Sequence, residues 1–240
     1  MDGSVSIFPI NGVPDIKTGD NLAVIIGDCL EQSFGNLIDG DVICVAHKIF
    51  SKAEGNIYDL NEIYPSAEAK EYAEKLNKDV RKVEIILRQS KKVIRSFKRK
   101  DQNEGVMICE HNLGFISANA AVDESNIGGN NIVITLPNDP DKSSNNLQTT
   151  LQERFKVRLG VVMTDTFGRP WRLGQVNVAI GLAGVPATKK EQGNMDAWGK
   201  ELSVTEPAFA DEISAASGLV IKKASKTPLV LFRGLEWGEN

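Results

Sequence analysis

The chain has 240 residues, of which 41% are hydrophobic and 25% charged, and its formal net charge is -4. That length accommodates one large domain or two small ones. The slightly acidic balance excludes a global electrostatic case for nucleic-acid binding, and no apolar run reaches the roughly 18 residues that span a bilayer.

The N-terminal stretch MDGSVSIFPI lacks a basic region and a long apolar core, so a secretory signal is not expected. Cys29, Cys44 and Cys109 are odd in number and form no CxxC pair, which reads as reduced, mostly buried thiols in a cytoplasmic protein.

In chain order, Ser4 to Phe8 alternates and reads as a strand ended by Pro9, followed by a turn at Gly12-Val13-Pro14. Residues 20–33 read as a helix with Leu22, Ile25, Ile26 and Leu30 on one face. Val42 to Ala46 is an apolar strand, and the basic segment HKIFSKAEG (47–55) follows it. Pro65-Ser66 opens a helix to about Leu76, and Asp79 caps another with Val80, Val83, Ile86 and Leu87 inward. The basic stretch Arg88 to Lys100 then reads as a solvated helix face and loop.

Val106 to Cys109 and Gly114 to Ala118 read as paired strands around the turn His111-Asn112-Leu113. A polar loop, NAAVDESNIGG (119–129), leads to a strand at Ile132 to Leu136. Asp139-Pro140 starts a helix whose Leu147, Leu151 and Phe155 share a face. Leu159 to Met163 is a buried strand, Val176 to Val185 a glycine-spaced strand, residues 203–217 a helix, and Leu229 to Phe232 a final strand. Strands and helices mix without strict alternation, which favours an α+β fold of mixed sheets with packed helices and some parallel βαβ pieces.

The densest chemistry lies in Thr164 to Gln175 (TDTFGRPWRLGQ), at the end of the Leu159–Met163 strand. Two readings are open: a polar turn with an Arg–Asp pair, or a metal site at a strand's C-terminal end. Neither GxxxxGK[ST] nor GxGxxG occurs, so a nucleotide would have to be held by metal ions, lysines and backbone amides. Asp123 and Asn126 can face one point, and Asp165 and Thr166 add a carboxylate and a hydroxyl, all hard oxygen ligands suited to Mg²⁺ or Mn²⁺. Lys48 and Lys52 could complement a triphosphate, and Arg169 and Arg172 could grip phosphate or carboxylate. His47 and His111 cannot by themselves make a zinc site and read as loop or cleft residues.

The segments FPINGVP (8–14), SKAEG (51–55), NAAVDESNI (119–127), TDTFGRPWRLGQVNVAIG (164–181), DAWGKEL (196–202), ADEI (210–213) and LVLFRGL (229–235) together resemble the coenzyme F420:L-glutamate ligase family, from about residue 7 to residue 235. The resemblance implies an NTP-dependent, usually GTP-dependent, ligase that adds L-glutamate to the carboxylate of a deazaflavin coenzyme precursor through an acyl phosphate. It implies a single catalytic unit of two lobes over residues 1–240, in an intertwined homodimer. Two divalent ions, Mg²⁺ or Mn²⁺, and a monovalent cation such as K⁺ go with it.

By the same resemblance, Asp123, Asp165 and Thr166 carry metal. Asn11, Gly12, Val13, Pro14, His47, Lys48, Lys52 and Asn126 lie at nucleotide positions. Arg169 and Arg172, read from their own chemistry rather than from the resemblance, are expected to bind phosphate or acceptor and are counted with Asp165 as the catalytic residues. Three positions depart from the family's habit. His47 stands where members often carry Gln or another polar residue. Asn177 stands where many have an acid. Ile221-Lys222-Lys223 stands where members often show a Met-Gly-Lys or Met-Gly-Glu turn against the phosphates, which puts Lys222 and Lys223 at nucleotide positions. If that turn needs φ > 0, Lys222 is strained there; if it does not, Lys222 adds a cation near the triphosphate. The Lys222 turn and His47 keep open a paralogous ligase acting on another carboxylate and amine. A nucleotide-binding module without turnover is a third reading, which the presence of Asp123, Asp165 and Thr166 disfavours.

Overall fold

The computed structural model describes residues 3–221 and 226–237. In chain order the elements are β1 (Ser6–Ile10), α1 (Leu22–Phe34), β2 (Asp41–Ala46), α2 (His47–Ala53), β3 (Ile57–Asp59), α3 (Ala67–Leu76), α4 (Val80–Arg88), β4 (Ser90–Phe97), β5 (Val106–His111) and β6 (Ile116–Ala118). The second half holds β7 (Ile132–Ile134), α5 (Pro140–Phe155), β8 (Leu159–Arg169), β9 (Arg172–Ala183), α6 (Phe209–Ser217) and β10 (Leu229–Arg233). The architecture is α+β with mixed sheets and packed helices, as expected.

The main sheet has the order β1-β10-β2-β8-β9. Its one parallel pair is β2 with β8, in which Asp41 lies opposite Leu159 and Ala46 opposite Thr164. Both faces of this sheet are covered, which is why its central strands read as unbroken apolar runs. Ile43, Val45, Val161, Met163, Leu229 and Leu231 join one cluster with Leu147 and Leu151 of α5. Val42, Cys44, Val162, Val230 and Phe232 join another with Ile213 of α6 and Trp237. A third cluster packs α3 and α4 onto β5 through Leu76, Val83, Ile86, Met107 and Cys109. β4, β5 and β6 form a three-stranded antiparallel sheet, and β3 pairs with β7.

Local capping signals fall where the sequence puts them. The Ser66 side chain accepts the Ala69 amide ahead of α3, Asp79 accepts the Arg81 amide ahead of α4, and Asp139 accepts the Lys142 amide ahead of α5.

Four expectations need correction. Pro9 lies inside β1 rather than ending it. β1 is an edge strand, where a missing N–H breaks no ladder. The basic stretch after α4 is not a helix face and loop but the strand β4, irregularly paired with β5, with register shifts at Ser90/Lys92 and Val93/Arg95 that break its alternation. The expected helix at 203–217 begins only at Phe209, because Pro207 forces the residue before it into extended backbone. Finally, TDTFGRPWRLGQ does not leave the sheet. β8 runs on to Arg169 and turns at Pro170-Trp171 into β9, forming a long hairpin. Past Thr164 its residues are no longer sandwiched, so the sequence turns polar while the backbone stays extended.

Candidate active site

The site sits at the C-terminal ends of the parallel pair β2 and β8, the usual place for a ligand in a sheet with such strands. α2 begins directly where β2 ends, and its polar residues reach three separate segments. His47 Nε2 lies 3.3 Å from Asp165 Oδ1 on β8. Lys48 Nζ donates to Asp123 Oδ2 at 2.6 Å, to the Ser125 carbonyl at 2.8 Å and to Ser125 Oγ at 2.7 Å. Lys52 Nζ donates to Asp15 Oδ1 at 2.7 Å, just past the Asn11–Pro14 segment. One seven-residue helix therefore ties together the segments at 11–15, 123–126 and 165.

The two expected metal carboxylates differ sharply. Asp123 is saturated. Oδ1 accepts the amides of Glu124 at 2.7 Å and Ser125 at 2.8 Å, while Oδ2 accepts Lys48 and Ser125 Oγ. Burial alone would raise its pKa, but the hydrogen bonds from Lys48 and from the Ser125 amide outweigh it and hold the group at about 2. Asp165 has no hydrogen bond to its carboxylate among the described residues; the His47 contact lacks the geometry of one. The hydrogen bond from Lys52 also pulls Asp15 below the usual carboxylate range.

The backbone leading to Asp123 is unusual. Asn119, Ala120 and Ala121 all have positive φ, at 53°, 49° and 55°. Left-handed backbone costs a non-glycine residue roughly 1–2 kcal/mol, and such strain gathers at functional segments. Asn119 Oδ1 accepts the Met107 amide at 3.2 Å, and Asp123 bridges to Ile134, which together hold this segment against β5 and β7.

On the hairpin, Thr166 Oγ1 donates to Asn177 Oδ1 at 2.8 Å, and Asn177 Nδ2 donates to Ser217 Oγ at 3.2 Å. Asn177 thus occupies the strand position facing Thr166. Arg169 and Arg172 stand apart from the α2 cluster. They pair across the exposed hairpin tip, four residues or about 13 Å along the strand from Asp165. Asn11 and Gly12 are exposed, with Gly12 at φ 82° and Asn11 Oδ1 accepting Thr227 Oγ1 at 3.3 Å. Asn126 has a left-handed backbone at φ 59°. Lys222 and Lys223 lie outside the described residues.

Sequence reasoning did not single out Asp15, Ser51 or Ser125. Ser51 and Ser125 fall within the SKAEG and DESN segments, but nothing in their spacing says which partner they meet. His111, read as a loop residue, is buried at the end of β5. Burial lowers its pKa, the charge of Asp165 opposes the shift, and Lys91 adds to it. The three thiols are buried and free, and burial pushes Cys44 up to about 12, so none is a ready nucleophile.

Among the described residues, no three His, Cys, Asp or Glu side chains converge where they could hold a metal ion. A cation here would need oxygens from bound phosphate or water beside the protein's own donors. The donor chemistry fits one, since Asp165 has an uncommitted carboxylate and Thr166 a hydroxyl with lone pairs to spare. No helix among the described residues is long and apolar enough to cross a membrane.

Residues 12–234 match the family model described as F420-0:Gamma-glutamyl ligase. The chain is 40% identical over 235 residues to a protein of Methanothermobacter thermautotrophicus named coenzyme F420:L-glutamate ligase, covering 98% of this chain and 90% of the relative. It is 42% identical over 238 residues to the protein of the same name from Methanopyrus kandleri, again covering 98% and 90%. With that of Archaeoglobus fulgidus it shares 37% over 232 residues, covering 96% and 88%. The matches span nearly all of the chain and every segment gathered around α2, and the chain belongs to the F420-0:gamma-glutamyl ligase family, enzymes that form carbon–nitrogen bonds.

Proposed function

We propose that the protein is an NTP-dependent ligase, with GTP the favoured nucleotide, that joins L-glutamate to the carboxylate of the deazaflavin precursor F420-0. The observation that carries this reading is the convergence on α2 of Asp165, the Asp123–Ser125 loop and the Asn11–Asp15 segment. The names of the relatives supply the substrates.

A carboxylate resists attack by an amine until one oxygen becomes a leaving group. In the proposed sequence an acceptor carboxylate oxygen attacks the γ-phosphorus. The bond from that phosphorus to the β-phosphate oxygen breaks, and NDP departs. The glutamate amine then attacks the acyl carbon, loses a proton, and expels inorganic phosphate as the amide forms. Charge is the main obstacle, because triphosphate, acceptor carboxylate and glutamate all bring negative charge to one place.

Lys48 and Lys52 sit on one helix and offer two cations toward phosphate, each already held in place by an acid. The exposed Asn11-Gly12-Val13-Pro14 backbone and Asn126 would meet the nucleotide. Asp165, Thr166 and Asp123 would hold divalent cations, with Lys48 giving way at Asp123. Bound Mg²⁺ or Mn²⁺ would neutralise the phosphates and orient the γ-phosphoryl group. Arg169 and Arg172 fit this scheme if they serve a site other than the α2 cluster of their own chain, and a homodimer provides one. Trp171 at 101% exposure and Leu173 at 95% put two apolar side chains at the hairpin tip that a second copy would cover.

The test is mass spectrometry of the acceptor after incubation with the protein, GTP, Mn²⁺ and L-glutamate. A mass gain of one or more glutamyl units, with GDP released, is expected. GDP release that needs a different acceptor carboxylate would mark a paralogous ligase instead. Light scattering of the wild type and of Trp171→Glu tests the homodimer, with a dimer expected for the first and dissociation for the second.

A further inference from the structure

Two imidazoles are buried near Asp165, each 2% exposed, and each has an Nε2 with no hydrogen-bond partner. Their other ring nitrogens tell them apart. His111 Nδ1 accepts the Leu113 amide at 2.9 Å, so its lone pair is on Nδ1. In the neutral ring the proton is then on Nε2, which has no lone pair to offer. His47 Nδ1 lies 3.2 Å from the buried hydroxyl of Ser51, which can accept from Nδ1–H or donate to Nδ1, so both tautomers are open to His47. In the tautomer that donates Nδ1–H to Ser51 Oγ, Nε2 holds the lone pair, and Nε2 lies 3.3 Å from Asp165 Oδ1.

In that tautomer an electron pair faces a carboxylate, which is unfavourable without a cation, and in either tautomer Nε2 is a buried polar atom without a hydrogen bond among the described residues, which is costly. A cation between them reverses the sign. Two donors bound side by side on a six-coordinate ion, each about 2.1 Å from it, stand about 3 Å apart. The separation seen here fits that arrangement, while the angles do not fit a hydrogen bond.

We propose that His47, through Nε2, is a direct ligand of the divalent cation at Asp165, with Ser51 Oγ accepting from Nδ1–H in the metal-bound tautomer. This rests on the reading of Asp165 as a metal-binding carboxylate. Thr166, water and substrate phosphate complete the shell, consistent with the absence of a third His, Cys, Asp or Glu donor among the described residues. A nitrogen donor shifts preference from Mg²⁺ toward Mn²⁺, because Mg²⁺ favours oxygen more strongly.

Pulsed EPR of Mn²⁺ bound to the full-length chain, alone and with GTP, tests the assignment. The wild type is expected to show coupling to a directly bound ¹⁴N. His47→Gln should lose that coupling and bind Mn²⁺ about 10-fold or more weakly, with a smaller loss for Mg²⁺, while His111→Gln should keep the coupling. Bound Mn²⁺ without ¹⁴N coupling in the wild type, or coupling that survives in His47→Gln, overturns the proposal. The wild-type spectrum needs no variant, so a poorly folding His47→Gln leaves the test intact. Asp165→Asn separates the two levels. If it binds Mn²⁺ as tightly as the wild type, the metal reading of Asp165 is wrong. If it loses Mn²⁺ while the wild type shows no ¹⁴N coupling, only the His47 assignment falls.

Discussion

The strand pair β2–β8 has a closed end and an open end. At the N-terminal end of β2, the fully buried Asp41 receives Arg233 in bidentate fashion, Nε to Oδ1 at 2.9 Å and Nη2 to Oδ2 at 2.6 Å, and also accepts the Ile38 amide. That pairing raises the pKa of the Arg233 guanidinium, with its hydrogen bond to Asp41 the largest cause. Some 15–20 Å away, at the C-terminal end, His47 Nε2 and Asp165 face each other without a hydrogen bond. Both ends place an acid beside a basic side chain. At one the polar groups satisfy each other and hold the fold. At the other they are left short of partners, which is the condition for binding something else.

The sharpest way to break this contrast is at the closed end. Arg233→Met leaves a buried carboxylate without its partner and should cost about 3–5 kcal/mol, read as a lower denaturation midpoint, with activity per folded molecule nearly unchanged. Activity lost ahead of stability would show that Arg233 serves the reaction.

Asp165→Asn reverses the pattern. Turnover should fall by more than about 100-fold, beyond the 10–100-fold typical of groups that only support a metal ligand, while the denaturation midpoint moves little. Unchanged turnover would sink the metal assignment.

Asp123 lies between the two cases, saturated like Asp41 yet placed at the site. Its folded pKa of about 2 is below the unfolded value near 3.9. Its charge therefore stabilises the fold above about pH 4, and the contribution disappears as pH falls through 2. In denaturation series against pH, the gap between wild type and Asp123→Asn should be widest above pH 4 and close toward pH 2. A gap independent of pH would remove the charge from the explanation.

The smallest expected effect concerns strain. Ala121→Gly relieves a left-handed backbone at φ 55° and should stabilise the protein by up to about 1 kcal/mol. If the strain aims Asp123, turnover should fall at the same time.

What could be read from the sequence was local or repetitive. Ser66, Asp79 and Asp139 marked helix starts because a cap bonds an amide two or three residues away. Leu147, Leu151 and Phe155 marked the buried face of α5 because helical period alone aligns them. β4 was lost because two register shifts break its alternation and its exposed lysines look like any solvated stretch. The hairpin does not show in the sequence as paired strands, because a strand without a core beneath it carries no apolar pattern.

The same division runs through the site. Motifs name His47, Lys48, Lys52, Asp123 and Asp165 but not their partners Asp15, Ser51 and Ser125, and the arrangement of all of them is in no motif. The sequence by itself determined the family, the caps, the core strands and the stock of acids, lysines and hydroxyls. Only the tertiary structure decided that Lys48 saturates Asp123, that Lys52 takes Asp15, and that His47 turns inward to Asp165. Those pairings join residues far apart in the chain. The His47–Asp165 contact depends on β2 and β8 lying side by side in parallel, a register set by packing on both faces of the sheet rather than by any local signal.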